Sequence, residues 1–214
     1  VCDLIAKNNG TCIMTEIPEM FGAEQYILNR CEDELIFNKA ARMINSFKNY
    51  YSKNDQPIYE NPSPGNKQGG ITTLEEKSLG CVQKGGSSEI TNVINYGECN
   101  TKKGVNILYA PGNDLISSTA LCAAGAQLIL FTTGRGTPFS SICPTVKIST
   151  NTPLYEKKPH WIDFDAGRLL YGENFPKMSY DLFSYILSVA NGEKTKGEQF
   201  KSKEIHIFKT GVTL

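Results

Sequence analysis

Val105-Asn106-Ile107-Leu108-Tyr109 runs into Ala110-Pro111-Gly112-Asn113-Asp114, then into small and apolar residues up to Ala124 and a second apolar run from Gln127 to Phe131. An apolar run of this length closed by Pro and Gly reads as a buried strand, and Asn-Asp ahead of the next periodic stretch reads as a turn and a helix start. The order is strand, tight turn, helix, strand. Ser117, Ser118, Ala120, Ala123, Ala124 and Gly125 keep that helix slim enough to lie close on a parallel sheet. The expected fold class is α/β, a Rossmann-like parallel sheet with flanking helices.

The remaining chain extends this reading. Residues 4–7 read as helix, Asn8-Asn9-Gly10 as its stop, and 11–15 as a buried strand. Residues 23–29 and 33–51 read as helices, the second with Leu35, Ile36, Ala40, Met43, Ile44 and Phe47 at three- and four-residue spacing. From 52 to 72, Pro57, Pro62, Pro64, Gly65, Gly69 and Gly70 suit neither regular period, so the expectation is a long Pro/Gly-rich active-site loop. Thr72 or Thr73 caps a helix running to about Val82. Residues 89–96 read as a further short helix, 146–149, 161–164 and 204–208 as strands, and 180–190 as a helix. Two lobes are expected, 1–100 and 101–214, or one continuous domain.

Lys+Arg and Asp+Glu balance at 22 each, which removes the basic footprint of a phosphate-backbone binder and so excludes nucleic acid. The seven cysteines include no C-x-x-C pair and read as reduced cytosolic thiols. The apolar run 120–131 is broken by Gly125 and Gln127 and falls short of a membrane span. No signal peptide is recognisable, so a cytoplasmic location without membrane attachment is expected. Val1-Cys2-Asp3-Leu4 opens in mid-helix without an initiator Met, so the chain reads as part of a longer protein.

Ligands of open α/β sheets sit beyond the carboxyl ends of the strands. Three segments occupy such places: Glu16-Ile17-Pro18-Glu19, Pro111-Gly112-Asn113-Asp114 and Thr132-Thr133-Gly134-Arg135-Gly136-Thr137. They are expected to converge on one crevice. The Gly112 turn lacks the G-x-G-x-x-G spacing, which disfavours a dinucleotide. Two glycines around Arg135 let the backbone approach an anion while the guanidinium grips a carboxylate. Glu60-Asn61-Pro62-Ser63-Pro64-Gly65-Asn66-Lys67 offers a rigid polar surface for polyol hydroxyls. Glu75, Glu76, Lys77, Cys81 and Lys84 gather on one helix and its end, with Lys77 and Cys81 on one face. His160 and His206 are isolated and read as structural.

With these residues laid out, the chain resembles the altronate dehydratase and galactarate dehydratase family. The resemblance rests on the segments 16–24, 60–80, 110–114, 131–138, 161–164 and 207–214, and spans essentially the whole chain. It implies a carbon–oxygen lyase, a hydro-lyase that removes water from a sugar acid; D-altronate giving 2-keto-3-deoxy-D-gluconate is the expected reaction. Galactarate dehydration, sulfolactate cleavage and a non-catalytic sugar-acid-binding module stand as alternatives. The resemblance further implies a divalent metal, Fe2+ or else Mn2+, a longer parent chain that completes the active site, and a homo-oligomer. By residue chemistry, the candidate catalytic groups are Lys77, Lys84 and Glu76. The candidate substrate contacts are Asn61, Ser63, Asn66, Lys67, Asn113, Arg135 and Thr137, and the candidate metal ligands are Cys81, Glu16 and Glu19.

Overall fold

The computed structural model describes residues 1–57 and 62–210. The chain is mixed α/β and divides into two compact units, one of Cys2–Ala124 joined by Phe208, the other of Gly125–Ile207. Each unit has its own three-stranded parallel sheet.

In the first unit, α1 (Cys2–Lys7) turns into β1 (Thr11–Met14) through Asn9 at φ 59 and Gly10. A Cβ at Gly10 would stand 2.5 Å from Ile5 Cγ2, so the turn requires glycine. The sheet order is β1-β3-β2, with β2 at Ile90–Ile94 and β3 at Gly104–Leu108. Val105, Ile107 and Leu108 of the central strand are wholly buried, as expected for a parallel strand covered on both faces. Beside the sheet stand α2 (Glu24–Leu28) and α3 (Glu34–Lys53). The Asp33 carboxylate caps α3 by accepting the Ile36 N–H at 2.7 Å. Ile36, Ala40, Met43, Ile44 and Phe47 form the buried stripe, and each large apolar member contributes about 1.5–3 kcal/mol by leaving water. Leu35, expected in that stripe, is 57% exposed, because Asn38 and Lys39 one turn on also face solvent.

Several expectations change. The predicted helix at 89–96 is β2: Ile90, Thr91, Val93 and Ile94 are β-branched and favour the pleated surface over a helix. The expected loop 52–72 is shortened by α3 at one end and contains α4 (Pro64–Gln68), nucleated by Ser63 and Pro64. α5 (Leu74–Gln83) starts from Thr73, and α6 (Asp114–Ala123) from Asn113. The unit read as strand, helix, strand does not close within one sheet: β3 lies in the first sheet and β4 (Ile129–Thr133) in the second. For the same reason the compact units divide at Ala124/Gly125 rather than at 100/101, since β3 pairs with both β1 and β2 and holds 104–124 to the first unit.

In the second unit the order is β4-β5-β6, with β5 at Thr145–Ser149 and β6 at Phe164–Asp165. α7 (Thr152–Lys157), α8 (Phe175–Ala190) and α9 (Lys196–Gln199) complete its regular elements among the described residues. Every residue of β5 is buried, Lys147 included. The strand expected at 161–164 contracts to Phe164–Asp165, and 204–208 is not a strand; the Glu204 N–H bonds instead to the loop carbonyl of Ser140 at 3.0 Å. No helix among the described residues is long and apolar enough to cross a membrane.

Candidate active site

Adjacent parallel strands bring two of the three expected strand-end segments together. The Ile17 N–H bonds to Ala110 O at 3.2 Å, and Thr15 Oγ1 donates to Leu108 O at 3.3 Å, tying the exit of β1 to the exit of β3. Gly112 then passes so close to Glu19 that a Cβ would lie 2.9 Å from Oε1. Glu16 turns the chain in the left-handed region, at φ 63 and ψ 52, which costs a non-glycine residue roughly 1–2 kcal/mol. Strain of this kind persists only where the surroundings impose it.

α5 supplies the opposite charges. Ser78 Oγ donates to the Phe21 carbonyl and fixes the helix against the turn after β1. Lys77 Nζ meets Glu19 Oε2 at 2.5 Å, with both side chains mostly shielded at 16% and 14% exposure. Burial, then the charges of Asp114 and Glu19, push the Glu16 carboxyl up to about 7, against the opposing pull of Lys84 and Lys77. Burial likewise pushes the Cys81 thiol up, with Lys84 opposing. The first unit therefore gathers Glu16, Glu19, Asp114, Lys77, Lys84 and Cys81 around the strand ends. One carboxyl in this group titrates near neutrality and can exchange a proton in either direction at physiological pH.

Other expected site residues are occupied locally. Glu76 closes the capping box of α5, accepting the N–H groups of Thr72 at 2.9 Å and Thr73 at 3.3 Å, which hold its carboxyl below the usual range. Ser63 and Asn66 form the capping box of α4, with Lys67 exposed on that helix. Asn61 lies outside the described residues. Asn113 caps α6, accepting from Leu115 N and Ile116 N at 3.2 Å each.

In the second unit, Thr133 Oγ1 accepts the N–H groups of Arg135, Gly136 and Thr137 at 3.3, 2.9 and 3.5 Å. The expected backbone cradle for an anion is thus turned onto the protein's own hydroxyl, and the Arg135 side chain is exposed. The Thr137 carbonyl accepts from Trp161 Nε1 at 3.1 Å and from Lys147 Nζ.

Cys81, Glu16 and Glu19 do not form a ready metal site. Among the described residues no group of three or more His, Cys, Asp or Glu side chains is placed to hold an ion, and Glu19 is spent on Lys77. Asp114 belongs to one of the strand-end segments expected at a ligand site, and its charge acts on Glu16. Lys147 was missed. A lysine between Val146 and Ile148 suits an exposed strand face, but β5 is central and covered on both faces.

Comparison with known proteins places the chain in a family. The family described as D-galactarate/altronate dehydratase, C-terminal, matches residues 1–213. The altronate dehydratase of Escherichia coli (strain K12) is 53% identical over 212 residues, covering 99% of this chain and 43% of that protein. The altronate dehydratase of Bacillus subtilis (strain 168) is 54% identical over 215 residues, with the same two coverages. The galactarate dehydratase (L-threo-forming) of Escherichia coli (strain K12) is 32% identical over 194 residues, covering 90% of this chain and 37% of its own. The chain thus spans less than half the length of these curated relatives. With the family matching residues 1–213 and two altronate dehydratases 53% and 54% identical over 99% of the chain, the chain belongs to the D-galactarate/altronate dehydratase family, as its C-terminal region.

Proposed function

We propose that the protein carrying this chain is a hydro-lyase that removes water from D-altronate, and that the carboxylate–lysine cluster of the first unit performs its proton transfers. The supporting observation is Glu16, titrating near 7 beside the Lys77–Glu19 pair. The C2 proton of a sugar acid is weakly acidic, so the reaction needs a base at C2, positive charge for the developing enediolate and an acid for the departing C3 hydroxyl. Glu16 is the acid–base group in this reading. Lys77 and Lys84, both candidate catalytic groups by residue chemistry, serve as cations, Lys77 held by Glu19. The enol formed then tautomerises to the 2-keto-3-deoxy acid. Lys67, exposed on α4 of the same unit, is the carboxylate contact in this reading. A requirement for Fe2+ or Mn2+, a homo-oligomeric state and a cytoplasmic location belong to the proposal on the strength of the resemblance alone.

The test is anaerobic turnover of altronate and galactarate by the complete protein, with and without ferrous iron, following the 2-keto-3-deoxy product. Altronate should be the better substrate, and Glu16→Gln should lower kcat about 100-fold or more, the scale of a lost acid–base group. Full activity in that variant would move the chemistry away from this cluster, and no product from either acid would end the dehydratase reading.

A further inference from the structure

Apart from the carboxylate–lysine cluster, two thiols meet at the start of α1 and on β1. Cys12 Sγ lies 3.8 Å from the Cys2 carbonyl oxygen, and its thiol also hydrogen bonds to the Cys2 sulfur. Cys2 Sγ donates to Lys84 O at 3.2 Å. The same corner is held by Asp3, whose carboxylate accepts the N–H groups of Ser87 at 2.9 Å and Ser88 at 2.8 Å. Arg30 closes it, donating through Nη2 to Gly85 O at 2.9 Å and through Nε to Ser88 O at 3.0 Å. Its remaining nitrogen, Nη1, is buried and has no hydrogen-bond partner among the described residues.

These groups make the two sulfurs unequal. The Cys12 hydrogen bond lowers the Cys2 thiol to about 7; Arg30 acts in the same direction, burial and Asp3 in the other. The same hydrogen bond, and burial after it, push the Cys12 thiol up. One thiolate-prone sulfur beside one protonated sulfur is the pairing that suits an attacking and a resolving cysteine.

We propose that Cys2 and Cys12 form a reversible oxidation site, converted by hydrogen peroxide into an intramolecular disulfide. The Cys2 thiolate attacks one peroxide oxygen, the O–O bond breaks, and the hydroxide released takes up a proton to give water. Cys2 is then a sulfenic acid. The Cys12 sulfur attacks that sulfur, the S–S bond forms as the S–O bond breaks, and the departing hydroxyl leaves with the Cys12 proton as a second water. Two thiols are oxidised by two electrons and one peroxide is reduced. The disulfide has no S–H, so the hydrogen bond to the Lys84 carbonyl is lost. Lys84 is the residue whose charge acts on Glu16 and Cys81, so oxidation at this corner reaches the turn that carries it.

Trypsin cleaves after Lys7 and Arg30 and places the two cysteines in separate peptides, one ending at Lys7 and the other residues 8–30. The full native chain is treated with peroxide near neutral pH, blocked with an alkylating agent and digested without reduction. The expected product is the two peptides joined, two hydrogens lighter than their sum, at about tenfold or more the yield of any other cysteine pair, and separated again by dithiothreitol. Cys12→Ser keeps a hydrogen-bond donor beside Cys2 and should trap the sulfenic acid there as a dimedone adduct. The proposal is overturned if Cys2 remains free for alkylation, if it pairs with Cys31 or the exposed Cys99, or if the Cys12→Ser chain gives no adduct at Cys2.

Discussion

Replacing Glu16 by Gln should stabilise the first unit more at pH 8 than at pH 4.5, by an amount the structure sets. The carboxyl titrates from an ordinary 4.5 in the unfolded chain and at about 7 in the folded one. Between those values the folded state holds a proton that the unfolded state has lost, so stability falls as pH rises through this window and the loss is complete above 7. At about 1.4 kcal/mol per pH unit the penalty is about 3 kcal/mol, an upper figure for a group that partial solvation relieves. Gln carries no charge and escapes it. Urea denaturation of wild type and variant at pH 4.5 and pH 8 isolates this contribution, because the left-handed backbone at residue 16 is common to both and cancels in the difference. The variant's advantage should grow by up to about 3 kcal/mol between the two pH values. An advantage unchanged to within about 0.5 kcal/mol would mean that Glu16 ionises normally, and the acid–base role would lose its support.

Three further substitutions probe neighbouring parts of the argument. Lys77→Met strands Glu19 in a shielded position and should destabilise the chain by about 2–3 kcal/mol at neutral pH while moving the Glu16 titration to higher pH, both readable by denaturation at several pH values. Lys147→Met keeps the packing of β5 but removes the bond to the Thr137 carbonyl and the cation over the Trp161 ring at 4.2 Å; a loss of about 2 kcal/mol in urea is expected, and an unchanged midpoint would make this buried charge energetically neutral. Gly167→Ala would place a Cβ 2.2 Å from the Thr152 backbone nitrogen, so a loss of about 3 kcal/mol or failure to fold is expected, and wild-type stability would show that the backbone there yields easily.

The sequence signalled elements well where periodicity and caps agreed. α3, α5 and α6 start at Asp33, Thr73 and Asn113, whose side chains announce the start locally. Pairing was less legible. Nothing local states that β3 joins β1 while β4 joins β5, because parallel partners lie far apart in sequence and are chosen by tertiary packing. β2 was misread because Asn92 and Asn95 interrupt a β-branched run that only burial against β3 makes decisive. At the candidate site the residue types were visible but their engagements were not. Glu76 and Lys77 are neighbours in sequence, yet one caps its own helix and the other reaches Glu19, a division set by a rotation of about 100° per helical residue.

Phe208 gives the first unit an unusual timetable. Its N–H bonds to the Tyr96 hydroxyl at 2.7 Å, and its ring meets the edges of Tyr96 and Tyr50, each with centroids 5.8 Å apart. Every residue from Gly125 to Ile207 must leave the ribosome before that ring is available. Domains generally fold in the order in which they are made. Here the sheet encoded first waits longest for its last aromatic partner, and a nascent chain stalled before residue 208 would present Tyr50 and Tyr96 uncovered to whatever binds unfinished proteins.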